Sequence, residues 1–172
     1  QPVNNGSIVF TGQGNAQTFT SGGTVGTTDL INFTVNSGAY LQTASEGTVV
    51  SGTTFTLSPG ATIGIRSVDG ITTSEASGNI QTTIRTFSPQ ASYIYNGISS
   101  QTTGDGLPAT IENLALDNPS GNISFDAARV ITDNFSISED SGADLGGFVH
   151  QCGMLTLGGI GQPSGSYGFT GS

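Results

Sequence analysis

The segments VVSGTTFTLSPGA (Val49 to Ala61) and RVITDNFSISEDSGA (Arg129 to Ala143) share a pattern that determines the fold of this chain. In each segment, apolar and polar residues alternate around a phenylalanine, and a turn that ends in Gly-Ala follows. Such alternation places the apolar side chains on one face of a β-strand. Ser, Pro, Asp and Gly are the residues that tight turns favour. The pattern therefore predicts a short strand followed by a sharp corner.

The same unit recurs as FTVNSGA, FTLSPGA, TFSPQA, LALDNPSG and FSISEDSGA. Its turns reach Gly38, Gly60, Gln90, Gly121 and Gly142, which are spaced by 22, 30, 31 and 21 residues. A period of about 20 to 30 residues is typical of solenoids, in which each coil buries its apolar face against the next. We therefore predict an all-β fold, a right-handed parallel β-helix or solenoid. Two tandem β-sandwich domains of about 80 residues are the alternative.

The two quoted segments also predict an internal duplication. Phe55 aligns with Phe135 and Val50 with Val130, each pair being 80 residues apart. The boundary falls near residue 90, which gives a first solenoid half (1–90) and a second half (91–172) of one continuous domain.

Two sets of residues follow from this alignment. The apolar strand centres are expected to stack in the core: Phe33, Phe55, Leu114 and Phe135. The glycines that close the turns are expected to form the corners, because glycine tolerates positive φ and close packing: Gly38, Gly60, Gly121 and Gly142.

Composition limits the partners of the chain. It has no lysine, three arginines and a formal charge of −9. Such a chain cannot neutralise many phosphates, so neither nucleic acid nor an anionic lipid surface is an expected partner. The sequence contains no run of about 18 apolar residues, so it predicts no membrane span. The lysine-free composition, rich in Ser, Thr, Gly and Asn, favours an exported, extracellular protein.

Few residues could perform chemistry. His150 and Cys152 alternate in a strand-like segment, but there is no other His or Cys to complete a zinc site. We expect Cys152 to be free and buried. Asp126 and Arg129 form the one compact acid–base pair of the second half. Without a nucleophile motif this pair predicts a structural role, so we expect no enzyme, no catalytic residue and no cofactor.

Two further groups of residues leave alternatives open. Glu139, Asp140 and Asp144 cluster in a turn that could hold calcium, although a solvated turn is the preferred interpretation. Tyr93 and Tyr95 share one face of a strand and could form a shallow glycan site. Packing against neighbouring strands is the preferred interpretation for the tyrosines.

The segment YIYNGISSQTTGDGLPATIENLALDNPSGNISF and the ending MLTLGGIGQPSGSYGFTGS resemble recurrent segments of large secreted β-solenoid repeat proteins of Bacteroidota. The matching positions are Tyr93, Tyr95, Gly97, Gln101, Thr103, Gly104, Leu107, Pro108, Asn113, Leu114, Leu116, Asn118 and Gly121. The resemblance implies a protein exposed at the cell surface or released, of the adhesin-like or gliding-related kind.

The ends of the predicted stack decide the expected function. Natural solenoids cover their terminal coils, because exposed strand edges promote association. We find no candidate cap in the sequence. We therefore expect a subunit or module of a cell-surface fibre or adhesin that stacks end to end on itself or on neighbouring repeats. The alternative is a glycan-binding adhesion module of a larger secreted protein.

Overall fold

The computed structural model describes residues 6–21 and 30–167, so residues 1–5, 22–29 and 168–172 of the two predicted halves lie outside the described residues. The described residues contain no helix and form sixteen strands. In chain order these are β1 (Gly6–Phe10), β2 (Ala16–Phe19), β3 (Ile31–Val35), β4 (Tyr40–Thr43), β5 (Thr54–Leu57), β6 (Thr62–Ile65), β7 (Ile84–Phe87), β8 (Ser92–Tyr95), β9 (Gln101–Thr102), β10 (Thr110–Ile111), β11 (Asn113–Leu116), β12 (Asn122–Ser124), β13 (Val130–Ile137), β14 (Gly142–Asp144), β15 (Gln151–Leu157) and β16 (Ile160–Gly161). No helix of the length and apolar character that a membrane crossing needs occurs in this part of the chain.

The strands form three sheets that run along the stack. Sheet A has the order β1-β3-β5-β7, and sheet C has the order β14-β12-β9. Sheet B has the order β16-β15-β13-β11-β8-β6-β4-β2, and β10 also pairs with β13. Strand pairs between successive coils are parallel. The predicted all-β parallel solenoid is confirmed, with about seven turns.

Alternation in the sequence explains the strands of sheet A. Phe55 and Leu57 are buried, whereas Thr54 and Thr56 between them are half-buried. The register pairs Phe33 with Phe55 in one inward-facing column, where the Phe33 ring packs edge-on against Phe19 and the Phe55 ring packs against Phe87. Apolar burial of this kind contributes about 1.5–3 kcal/mol per large side chain, which stabilises these short strands inside the stack.

The turns are also stacked. Ala39 N–H donates to Asn36 C=O (2.9 Å) and Ala61 N–H donates to Ser58 C=O (3.1 Å), which closes each corner. Gly38 N–H then donates to Gly60 C=O of the next coil (2.9 Å). Gly38 and Gly60 have φ of +79° and +71°, the left-handed region that favours glycine.

Gly121 directly precedes β12 and Gly142 is the first residue of β14, so the prediction that they form corners of the same kind as Gly38 and Gly60 is corrected. Neither residue is among those with positive φ. A Cβ at Gly121 would lie 2.5 Å from the backbone nitrogen of Ser100, and a Cβ at Gly142 would overlap the side chain of Asn122. These two glycines are therefore required by close approach to the neighbouring coil.

The predicted duplication aligns residues that lie on different sides of the solenoid. Phe55 is in sheet A, whereas Phe135 is in sheet B beside Leu114. All four predicted stacking residues are buried, but Phe33 and Phe55 form one stack and Leu114 and Phe135 form another. The turn after Leu57 leads from sheet A to sheet B, and the matching turn after Ile137 leads from sheet B to sheet C.

Sheet B joins the two halves into one core. Its inward-facing residues form a continuous column in which Leu41 pairs with Ile63, Ile63 with Tyr93, and Tyr93 with Leu114. This column runs past residue 90 without interruption, and its members are almost completely buried.

Candidate functional site

The last coil of sheet B leaves the interior of the solenoid open. Ile111 and Ile131 pair in register and are 0% and 1% exposed. Cys152 occupies the next position of this column, and it is exposed. The prediction of a buried Cys152 is therefore wrong. The thiol faces the same way as its buried neighbours but has no described coil beyond it.

Two more columns end in the same way. Leu114 and Phe135 are buried, and Leu155, which follows them in register, is only half-buried. Beyond Ile137, Leu157 is 38% exposed. Three inward-facing columns thus end in apolar side chains that no coil within the described residues covers.

These side chains line an open groove of about 980 Å³ at the end of the stack, which we call the end groove. Leu155, Leu157 and Cys152 form its floor, and Phe148 and Val149 form part of its wall. Val149 is 82% exposed and Phe148 is 42% exposed, so the groove is an apolar surface in contact with solvent. Contiguous exposed apolar patches mark interaction sites more often than single exposed residues do.

A hairpin covers part of the groove. β16 is antiparallel to β15, pairing Leu157 with Ile160, and Gln162 N–H donates to Leu155 C=O (2.8 Å). Gly158 and Gly159 form the two-residue turn with φ of +53° and +80°, the combination that type I′ hairpin turns require. The prediction that this end has no cap is corrected: β16 pairs with the last two residues of β15, and no other strand in residues 6–21 and 30–167 pairs with the rest of that edge.

The first coil presents an exposed apolar edge at the opposite end. Ile8 and Val9 of β1 are 39% and 48% exposed. Ile8 precedes Phe33 and Phe55 in one inward-facing column, and these two are 2% and 0% exposed. Burial therefore falls towards both ends of the stack.

Charge is absent from both end segments. All three arginines and all twelve acidic residues lie between Asp29 and Asp144, so residues 1–28 and 145–172 contain none. Charged side chains at strand edges are a common protection against edge-to-edge association. Neither of these two segments has this protection, and at the open end the nearest charge is Asp144 of β14, the outermost strand of sheet C.

His150 is committed to the structure of the last coil. Its Nδ1 accepts a hydrogen bond from Arg129 N–H (3.2 Å), and its Nε2 lies 3.1 Å from Leu145 C=O. Its ring packs edge-on against Phe125. The imidazole therefore holds two loops together beside the groove. Two residues further along the chain, partial burial raises the pKa of the Cys152 thiol.

Tyr93 and Tyr95 are both 0% exposed, which corrects their prediction as glycan contacts. Tyr93 Oη donates to Ser88 C=O (2.7 Å), and Tyr95 Oη donates to Thr103 C=O (2.5 Å). Desolvation raises the pKa of both hydroxyls far above the usual range. Because each hydroxyl has an internal partner, the rings can occupy core positions instead of forming a sugar platform.

Asp126 and Arg129 form an ion pair, with 2.7 Å between Arg129 Nη2 and Asp126 Oδ1. Thr103 Oγ1 donates to the same carboxylate oxygen (2.5 Å). Arg129 is 5% exposed, and its Nη2 also donates to Gly104 C=O (3.4 Å). The pair joins two neighbouring loops of the stack, as expected for a structural role.

The three acidic residues considered for calcium have different surroundings. Glu139 and Asp140 are exposed in the turn after β13. Asp144 Oδ1 accepts from Gly146 N–H (3.0 Å), and its Oδ2 accepts from Ser124 Oγ (3.4 Å). In residues 6–21 and 30–167 there is no group of three or more His, Cys, Asp or Glu side chains placed to hold a metal ion.

Comparison of the chain with protein-family models, with curated proteins and with solved structures finds no match. The function must therefore be argued from the two ends of the stack. The residues of the end groove were missed by the sequence prediction. The charge-free segment from Leu145 onwards is the signal in the sequence that could have located them.

Proposed function

We propose that this protein is a non-enzymatic, extracellular structural module that assembles end to end by β-stacking within a cell-surface fibre or adhesin. One observation carries the proposal: in the part of the chain that the structure describes, three inward-facing columns of sheet B end at Cys152, Leu155 and Leu157 without a covering coil. A second molecule stacked on this end would continue the columns. Export and surface location are part of the proposal and rest on the composition.

The energy of such a contact comes from apolar burial. Covering a large apolar side chain contributes about 1.5–3 kcal/mol. The end groove offers Leu155, Leu157 and Phe148, and the first coil offers Ile8 and Val9. Because these side chains are already about half-buried, covering what remains exposed contributes about 1 kcal/mol each and about 5 kcal/mol together, which is at the low end of the about 4–15 kcal/mol that association costs. Added main-chain hydrogen bonds between strand edges would then favour assembly.

The distribution of charge supports the same contact. Two chains of charge −9 repel each other at long range, but β15 and the hairpin that follows it contain no charged side chain, and Asp144 is the one acidic residue of β14, the outermost strand of sheet C at this end. Screening at physiological salt reduces the repulsion between the charged middle parts to about an 8 Å range. Assembly should therefore become more favourable as the salt concentration rises.

Electron microscopy and sedimentation velocity of the purified chain test the proposal. We expect filaments whose axial repeat is about 35 Å, from about seven turns spaced by about 4.8 Å. Leu157→Glu and Ile8→Glu each place a charge at one end and should abolish elongation. Ile98→Glu is the matched control, because Ile98 is 66% exposed but lies in a loop in the middle of the stack.

Two outcomes would overturn the proposal. The first is a monomer at all protein and salt concentrations, and the second is assembly that Ile98→Glu impairs as strongly as Leu157→Glu does.

A further inference from the structure

The hairpin at the end groove occupies the strand edge that an incoming molecule needs. The outer edge of β15 is paired with β16 at Thr156 and Leu157, and Leu155 C=O accepts from Gln162 N–H (2.8 Å). An added coil in the parallel arrangement of sheet B would use these same main-chain groups. The hairpin and the added coil therefore exclude each other.

The segment after β16 lies over the groove as well. Gly165, Ser166 and Tyr167 line the end groove together with Leu155 and Leu157. Tyr167 is 46% exposed, and its hydroxyl donates to Pro163 C=O. β16 and residues 162–167, which we call the hairpin cap, thus cover both the edge and part of the apolar floor.

The hairpin cap is built weakly compared with the coils beneath it. It has two paired positions with β15, whereas β13 and β15 pair at six positions. Ile160 is 70% exposed, so the cap buries little of its own apolar surface. Short, exposed elements of this kind open at a lower free energy than the core does.

From these contacts we infer that the hairpin cap is a displaceable cover that controls end-to-end assembly, and that it is replaced by β2 of a second copy of this chain. This inference rests on the proposed function. β2 is the outermost strand of sheet B at the other end of the stack, and its segment carries no charge. In register with β15, β2 would place Phe19 against Leu157, which lies in the inward-facing column of Ile137.

Truncation provides the first test. A chain ending at Gly158 lacks the hairpin cap, and a chain ending at Tyr167 is its matched control. We expect the chain ending at Gly158 to elongate sonicated filament seeds at least tenfold faster than the full chain, by light scattering. The control should elongate at the rate of the full chain. Circular dichroism and thermal melting establish that each chain is folded.

Two point variants test the inference without removing residues. Gly159→Val is incompatible with the φ of +80° and should open the hairpin, so its elongation should be faster than that of the full chain. Gly158→Asn tolerates positive φ and makes the Asn-Gly pair that type I′ turns prefer, so its elongation should be slower. Opposite effects at adjacent glycines would not arise from general destabilisation.

Hydrogen exchange supplies a direct readout in assembled full-length chain. The amide of Gln162 should exchange at least tenfold faster in filaments than in monomers, because its bond to Leu155 C=O is lost. Equal elongation by all of these chains, with Gln162 protected in filaments, would overturn the displaceable cover and leave end-to-end assembly intact. If the folded chain ending at Gly158 and the Gly159→Val variant both remain monomeric, the proposed assembly itself is wrong.

Discussion

Sheet A and sheet B end in opposite ways. Sheet A stops inside the stack at β7, where the inward-facing column Phe33–Phe55 continues into Arg85 and the neighbouring column Val35–Leu57 ends at the half-buried Phe87. Sheet B continues to the last coil, where its columns end in Leu155 and Leu157 in contact with solvent. The first is a closed end and the second an open end. The comparison shows that this solenoid can close a side with a polar side chain, and that the end of sheet B is not closed in that way.

The closed end is built from hydrogen bonds to loop carbonyls. Arg85 Nη1 donates to Ser74 C=O (2.6 Å), and Nη2 donates to Thr73 C=O (2.6 Å). Asn79, which is fully buried, holds the other end of the same loop against the preceding coils. No further strand pairs with β7 in the described part of the chain. The Arg85 guanidinium, at the last position of the Phe33–Phe55 column, thus donates to the carbonyl groups of the loop that covers the end of sheet A.

The largest expected difference between the two ends is in core packing. Phe55→Ala should lower the free energy of unfolding by about 3–5 kcal/mol, because Phe55 is completely buried. Leu155→Ala should lower it by about 1 kcal/mol, since Leu155 is half-buried at the open end. Urea unfolding of both variants as monomers measures the difference. Equal losses would mean that the open end is covered in solution.

The next largest effect is expected at Asn79. Its Oδ1 accepts from the backbone N–H groups of Arg66 (2.9 Å) and Ser67 (2.7 Å), and its Nδ2 donates to Thr48 C=O (2.7 Å). Asn79→Ala leaves these buried groups unpaired and should cost about 3 kcal/mol of stability. Asn36→Ala, at an exposed asparagine in a turn, is the control and should change stability by less than about 0.5 kcal/mol. A small loss at Asn79 would show that water replaces its contacts.

These two predictions separate what the sequence determines from what it leaves open. Alternation around Phe55 and the turn at Gly60 could be predicted, because both are local properties of the backbone. The side of the solenoid on which each unit lies could not, because it depends on loop lengths and on pairing between distant strands. For that reason Phe55 and Phe135 align in sequence but lie in different sheets.

Single polar residues were harder still to place. Asn79 occurs in a loop rich in Ser, Thr and Gly, and nothing in its neighbours distinguishes it from an exposed turn residue. Tyr93 and Tyr95 share one face of a strand, which left a glycan site open as a possibility, but Ser88 C=O accepts from the Tyr93 hydroxyl inside the core. At the open end, the Gly158-Gly159 pair is typical of a two-residue hairpin turn. It was not predicted, because the repeat led us to expect parallel strands throughout.

A smaller effect is expected when the guanidinium of the closed end is removed. Arg85→Met keeps an apolar stem beside Phe55 and loses the bonds to Thr73 and Ser74, so it should cost about 1–2 kcal/mol. The loop carbonyls are partly exposed, and water can replace some of the lost donors. Limited proteolysis should cut within residues 72–80 of the variant first. If the variant is cleaved at the same sites and at the same rate as the unchanged chain, Arg85 does not close sheet A.

The smallest effect concerns Asp105, which joins the next coil to the loop at the closed end. Asp105 accepts from Thr73 Oγ1 (2.6 Å) and from Thr73 N–H (2.8 Å), and these bonds lower its pKa below the ordinary 3.8. Since the folded-state pKa is depressed, this stability is present above the ordinary carboxyl pKa. It is lost as the pH falls through the folded-state value.

Thr73→Val removes the hydroxyl donor and should bring the pKa of Asp105, followed by NMR of its carboxyl carbon, back towards 3.8. Thr73→Ser keeps the donor and should leave the pKa low. The carboxylate is exposed, so solvent screens the contact and the accompanying change in stability should be barely measurable. If both variants titrate alike, the backbone N–H bond alone holds the carboxylate. The closed end would then depend on Arg85 and Asn79 and not on the exposed Asp105 carboxylate. In that respect it would resemble the open end, which has no acidic side chain in β15.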